Sequence, residues 1–186
     1  MIWTVPNYLT LARVLAVPVI IALMFIPGEA VRWIVAVLFL AAGLTDWFDG
    51  WLARRRGQTS AFGRFLDPIA DKLLTASILV MLVASFAIAG VHVVAAILII
   101  AREILISGLR EFLAGDRVAV PVTYLAKVKT TLQIAAILVL ILAPALGETI
   151  HVIGLVLLWL SAAATVITGA DYLAKGMRHI LAGERR

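Results

Sequence analysis

Four aspartates, Asp46, Asp49, Asp67 and Asp71, stand close together in a chain that is otherwise largely apolar. Asp46 and Asp49 are three residues apart, and Gly50, Ala53 and Arg54 follow four, seven and eight positions after Asp46. On a helix this spacing places all five on one face. Asp67 and Asp71, four apart, share a face of the next helix in the same way. Carboxylates converging where two helices meet repel one another, and a hard divalent cation bound through oxygen relieves that repulsion. Solvation, or pairing with Arg54, Arg55, Arg56 and Arg64, is the competing account for any single aspartate. It does not explain why small residues share their face. Gly50 and Ala53 leave room for a flat ligand against the backbone, and ionisable groups at membrane depth are costly and usually functional.

A second polar set lies further along. It comprises Arg102, Glu103, Ser107 and Arg110 in one apolar run, and Lys127, Lys129, Thr130 and Gln133 in the next. Arg102 and Arg110 are eight apart, near two helical turns, hence on one face. Fixed cations opposite a metal cluster suit a small phosphorylated substrate; the competing account is that they face lipid head groups. Together the two sets describe phosphoryl-type transfer, in which catalysis is positioning plus charge neutralisation. A carboxylate near the metal would take the proton from an attacking hydroxyl. The residues alone name neither the nucleotide nor the acceptor.

The elements that must position these groups are membrane helices. The 186 residues are 63% hydrophobic, against about 45–50% for a soluble domain, and mean hydropathy is +1.09. Several apolar runs approach the roughly 20 residues a bilayer span needs. The expected fold is all-α: a polytopic membrane protein of six transmembrane helices, forming one domain over residues 1–186, with a short interfacial segment at Met1–Asn7. The spans are expected at about Tyr8–Phe25, from Val31 to near Asp49, Phe65–Ile88, His92–Phe112, Tyr124–Leu142 and Ile150–Tyr172. Arg54–Phe62 reads as a polar loop, Gly115–Thr123 as a connection, and the residues after Tyr172 as a basic tail. The N-terminus lacks the basic region and small-residue cleavage site of a signal peptide. With no cysteine, disulfide and thiolate chemistry are excluded. The net charge of +5 sits in short loops between spans, which favours anionic head groups or phosphorylated substrates over nucleic acid. All basic residues but Arg32 collect at alternate ends of the spans. The positive-inside rule then puts both termini and the aspartates in the cytoplasm.

The run Asp46-x2-Asp49-Gly50-x2-Ala53-Arg54-x8-Gly63-x3-Asp67-x3-Asp71 resembles the signature of the CDP-alcohol phosphotransferases, with every fixed position present. Further blocks resemble the bacterial branch of that family that makes phosphatidylglycerol phosphate. They are Pro6-Asn7-Tyr8-Leu9-Thr10-Leu11-Ala12-Arg13, Phe65-Leu66-Asp67-Pro68-Ile69-Ala70-Asp71-Lys72, Ala101-Arg102-Glu103-Ile104, Leu109-Arg110-Glu111 and Lys127-Val128-Lys129-Thr130. Ala126 stands where the family pattern has glycine. The resemblance implies an enzyme of the cell's inner membrane that joins CDP-diacylglycerol to sn-glycerol 3-phosphate, giving phosphatidylglycerol phosphate and CMP, with Mg²⁺ or Mn²⁺. It implies that Asp46, Asp49 and Asp67 hold metal, and that Asp71 completes the cluster and is the general base. Gly50, Ala53, Arg54, Thr59 and Gly63, with the metal-holding aspartates, would shape the CDP-diacylglycerol site. Arg110 and Lys127 are the leading candidates for the glycerol phosphate group, followed by Arg102, Lys129, Asn7, Thr10 and Arg13. It also implies a homodimer with its polar cavity open to the cytoplasm. The nearest rival is a sister enzyme using inositol phosphate, serine or phosphatidylglycerol as acceptor. A cation transporter is a rival from another class; it is disfavoured because the aspartates sit at one surface and no inverted repeat appears.

Overall fold

A computed structural model describes the backbone of residues 5–56, 61–115 and 124–183. It describes their side chains except at positions 5, 6, 46–56, 61, 62, 64, 179, 182 and 183. The described residues form six helices and no strand: α1 (Val5–Met24), α2 (Glu29–Arg56), α3 (Ala61–Ala84), α4 (His92–Gly115), α5 (Tyr124–Leu146) and α6 (Glu148–Gly183).

The apolar residues point both ways. Ile20, Phe39, Leu82, Ile99, Leu140 and Leu158, one from each helix, meet in a single buried core. Leu15, Val37, Ile97, Ile104, Val156 and Ile167 are exposed on the outside of the same helices. A soluble monomer seldom exposes so continuous an apolar surface, and here it is the lipid-facing surface. Four helices hold a stretch long and apolar enough to cross a membrane: α1 over Asn7–Met24, α4, α5, and α6 over Glu148–Arg178. Among the described residues α2 and α3 do not reach that measure. The charged residues of the aspartate motif occupy the first half of α3, where Asp67, Asp71 and Lys72 precede the apolar half.

Helix boundaries differ from expectation in instructive ways. Asn7 already lies within α1, so the N-terminal segment is helical from Val5; Pro6 in the first turn costs no internal hydrogen bond. Arg54–Arg56, expected in a loop, belong to α2, since arginine is a good helix former. The tail expected after Tyr172 is helix too. At 36 residues α6 is about 54 Å long at 1.5 Å per residue, well beyond a bilayer core of about 30 Å. Its last turns carry Leu173, Met177 and Leu181 at fourfold spacing, an apolar row beside Lys175 and Arg178. The third span ends earlier than expected, at Ala84, where the chain turns before α4.

The joint between α5 and α6 is the tightest. α5 runs past Pro144 to Leu146. Gly147, at φ 99°, then gives its N–H to the carbonyl of Ala143 at 2.9 Å, a left-handed cap that glycine adopts without strain. Glu148 begins α6 with an acidic group at the positive end of the helix dipole. The two helices then pack most extensively of any pair. A Cβ on Gly154 would lie 2.8 Å from Leu140 Cδ2, so glycine there lets the backbones approach, as small residues do in membrane bundles. α1 packs on α2 and α3, α4 on α6, and α2 on α5. The N-terminal ends of α3 and α5 and the C-terminal ends of α4 and α6 therefore share one end of the bundle, where the polar side chains collect.

Candidate active site

Four helices enclose a cavity of about 230 Å³ at that end. Each contributes one face. α3 offers Pro68, Asp71 and Lys72, and α4 offers Arg102, Glu103, Ser107, Arg110 and Glu111. α5 supplies Ala126, Lys129 and Thr130, and α6 supplies Thr168, Asp171 and Tyr172. The spacings of three and four on every helix are those of neighbours on one helical face.

Glu103 binds the basic side of the cavity together. Its Oε1 accepts from both Lys129 Nζ and Arg102 Nη1, the latter at 3.2 Å. Lys129 is only 6% exposed; a buried ammonium needs such a partner, since a lone charge in this setting is strongly destabilising. Arg102 Nη2 reaches across to Thr168 Oγ1 at 3.3 Å, and that hydroxyl donates to the Ala164 carbonyl at 2.8 Å. The arginine stem lies over Gly169, where a Cβ would come within 2.8 Å of Arg102 Cγ and 3.3 Å of its Nε. Thr168 and Gly169 thus form a seat on α6 that aims Arg102. Two other charges lining the cavity are committed: Asp171 accepts from Lys175 at 2.7 Å, and Lys72 Nζ donates to the Pro68 carbonyl at 2.8 Å. Among the described residues Arg110 lines the cavity without an ion pair, so its guanidinium is available to an anion.

The sequence-derived residues separate into groups. Asp71, Arg102, Arg110 and Lys129 come together on the cavity. Lys127 is exposed and does not line it: two residues apart on a helix means opposite faces, so Lys127 and Lys129 cannot both turn inward. Asn7, Thr10 and Arg13 are buried along one face of α1 and do not line the cavity. Thr10 Oγ1 donates to Asp67 Oδ1, and Arg13 Nε donates to the Ala42 carbonyl at 3.1 Å, so this face ties α1 to α3 and α2. Gly63 is buried near the start of α3. Asp46, Asp49, Gly50, Ala53 and Arg54 lie on the α2 helix, but their side chains are outside the described residues, as is Thr59 altogether.

The donors fit a hard cation. Asp67 and Asp71 stand one turn apart on α3, and Asp46 and Asp49 one turn apart on α2. All four are carboxylates, the ligand type that magnesium and manganese prefer over sulfur or imidazole. Among the described residues no group of three or more His, Cys, Asp or Glu is placed to hold a metal; the α2 pair falls outside that set.

Thr168, Asp171 and Tyr172 complete the site without having been singled out from the sequence, and Glu103, one of the second polar set, lies at the centre of its basic side. The α6 contribution had a signal: Ser161, Thr165, Thr168 and Tyr172 recur every three or four positions in an apolar helix, which marks one polar face turned inward.

Known proteins resemble this chain along most of its length. The model of the CDP-alcohol phosphatidyltransferase family matches residues 3–167. The chain is 46% identical over 169 residues to a Rickettsia bellii protein named CDP-diacylglycerol–glycerol-3-phosphate 3-phosphatidyltransferase, covering 90% of this chain and 92% of that one. Proteins of the same name from Sodalis glossinidius and Yersinia enterocolitica are 40% and 38% identical, covering 91% and 95% of this chain and 92% and 97% of theirs. With the aspartate motif, the basic cavity beside it and a match over nearly its whole length, the chain belongs to the CDP-alcohol phosphatidyltransferase family.

Proposed function

We propose that this protein transfers the phosphatidyl group of CDP-diacylglycerol to sn-glycerol 3-phosphate, releasing CMP. The observation that carries this reading is the cavity itself: Asp71 of the family motif faces the same space as Arg110 and the Glu103-held pair Arg102 and Lys129. A small phosphorylated alcohol placed there has its anion on the basic side and a hydroxyl at the carboxylate. The names of the relatives supply the acceptor.

In this mechanism Arg110, with Arg102 and Lys129, holds the acceptor phosphate and orients its chain toward α3. Asp71 takes the proton from the 1-hydroxyl as that oxygen bonds to the phosphorus carrying diacylglycerol. The bond from that phosphorus to the bridging oxygen breaks, and CMP leaves with it. Gly50, Ala53, Arg54, Thr59 and Gly63 shape the cytidine and pyrophosphate site. Asp46, Asp49 and Asp67, completed by Asp71, would hold Mg²⁺ or Mn²⁺, which supplies charge neutralisation at the pyrophosphate. The family is generally dependent on a divalent metal. The reading also includes a homodimer in the inner membrane, and the basic residues gathered at that end of the bundle support a cavity open to the cytoplasm.

The test uses purified protein, labelled glycerol 3-phosphate, CDP-diacylglycerol and a divalent metal. CMP release that requires all three is expected; release driven instead by inositol phosphate, serine or phosphatidylglycerol overturns the acceptor assignment.

Two further outcomes follow from the basic side. Arg110→Ala should raise KM for glycerol 3-phosphate far more than for CDP-diacylglycerol. A charge-assisted contact is worth about 1.5–3 kcal/mol, so at least a tenfold increase is expected, at about 1.4 kcal/mol per decade. Equal effects on both substrates would make Arg110 a structural residue. Gly169→Ala tests the seat. The added methyl must displace Arg102, so KM for the acceptor should rise several-fold while KM for CDP-diacylglycerol stays. Gly169→Ala with unchanged acceptor KM would mean that the aim of Arg102 does not matter.

A further inference from the structure

A recess of about 60 Å³ opens off the cavity, sharing Asp71, Lys72, Glu103, Lys129 and Thr130 with it. Beyond these it is lined by Thr75, Gln133, Ile134 and Ile137. Most of its polar groups are occupied. Glu103 accepts from Lys129 and Arg102, Lys72 donates to a backbone carbonyl, and Thr130 donates to the Ala126 carbonyl. Gln133 is different. Its side chain is 93% buried, being 7% exposed, and its Oε1 has no hydrogen-bond partner among the described residues. Buried side-chain acceptors are nearly always satisfied, so an orphan of this kind calls for a missing donor. A hydroxyl meets that need: it donates a hydrogen bond to Oε1 and brings no charge beside Asp71 and Glu103.

We propose that Gln133 reads a hydroxyl of the acceptor that does not react, and so makes the recess a specificity subsite for a phosphorylated polyol. This inference rests on the acceptor reading above. With the phosphate near Arg110 and the reacting hydroxyl at Asp71, the middle carbon of a three-carbon acceptor falls between α3 and α5. Gln133 lies one turn beyond Lys129 on the cavity-facing side of α5. The recess has room for a hydroxyl-bearing carbon over the apolar floor of Ile134 and Ile137. A site whose buried polar group expects a hydroxyl rejects the analogue lacking it, because the group is then left unpaired.

The experiment compares two acceptors, glycerol 3-phosphate and 3-hydroxypropyl phosphate, which differs only in lacking the 2-hydroxyl. CMP release is measured with the wild-type protein and with Gln133→Met, a substitution of similar volume that removes the amide. The wild type should favour glycerol 3-phosphate in kcat/KM by about tenfold or more. Gln133→Met should bring the ratio toward one, by loss on glycerol 3-phosphate alone, with KM for CDP-diacylglycerol unchanged. The ratio does not depend on the fraction of protein correctly folded, so a less stable variant still decides the matter. A wild type that uses both acceptors equally, or a variant that keeps the wild-type ratio, overturns the proposal. A wild type that releases no CMP with glycerol 3-phosphate overturns the acceptor reading itself, and that result is seen before any variant is made.

Discussion

Asparagine in place of Asp67 should abolish turnover while the protein stays folded and in the membrane. Losing even an outer partner of a metal ligand commonly costs 10–100-fold in affinity or activity, so losing a ligand should cost at least about 100-fold. Asp67 is the sharpest position for this test because its surroundings are known. It is half-buried, and Oδ1 accepts the hydroxyl proton of Thr10 from α1. Asparagine keeps the volume and can keep that hydrogen bond, so the change removes charge with little loss of packing. Asp46→Asn and Asp49→Asn should behave alike, since the α2 pair and the α3 pair would share the ion. Two measurements check this: CMP release across a Mg²⁺ titration, and direct Mn²⁺ binding by calorimetry. Near-normal activity of Asp49→Asn at limiting Mg²⁺ would remove the cluster from the mechanism.

The aspartate motif was legible because its meaning lies in spacing along one or two helices. Positions three and four apart fall together whatever the rest of the fold does. The same logic brought Arg102 and Arg110 to one face, and the structure places both on the cavity. What a single run does not reveal is which of two faces turns inward. Lys127 and Lys129 illustrate this: both are basic, both lie near the start of α5, and only the packing of α5 on α6 and α2 decides that Lys129 is buried and Lys127 exposed. The partner of Lys129 was hidden for a related reason. Glu103 is 26 residues away on another helix, a pairing that no spacing along one helix reveals. It is the centre of a network that reaches to Thr168 on the last helix.

Length explains the other misses. The last helix was ended at Tyr172 because its apolar run ends there, yet Leu173, Met177 and Leu181 continue the helical period beyond it. That pattern was available in the sequence but lies outside the hydrophobic thickness by which spans are judged. Conversely α3 looks less like a span than its neighbours because Asp67, Asp71 and Lys72 stand in its first half. Those charges lower its hydropathy, and since ionisable groups in membrane helices are costly and usually functional, the hydropathy signal weakens where they gather.

Asp71→Asn should lower kcat steeply, by about 10²–10⁴-fold, the usual worth of a positioned general base, with CDP-diacylglycerol and metal still bound. The reason lies in its position. Asp67 turns toward α1 and is engaged by Thr10, whereas Asp71, one turn later, lines both the main cavity and the recess beside Lys129 and Glu103. It is the described carboxylate of the motif that faces the acceptor space. Proton transfer depends on where the carboxylate stands as well as on how basic it is. Asp71→Glu should therefore recover only part of the rate, since a longer side chain moves the carboxylate by about an ångström from its productive place. Pure metal ligation is the competing role, and a Mg²⁺ titration of Asp71→Asn separates the two. A ligand variant regains kcat as metal is raised, because occupancy is what it lost. A variant lacking the base stays flat at saturation, because no concentration of metal replaces the proton acceptor. Recovery of kcat at high Mg²⁺ would therefore move Asp71 from base to ligand and leave the proton to another group in the cavity.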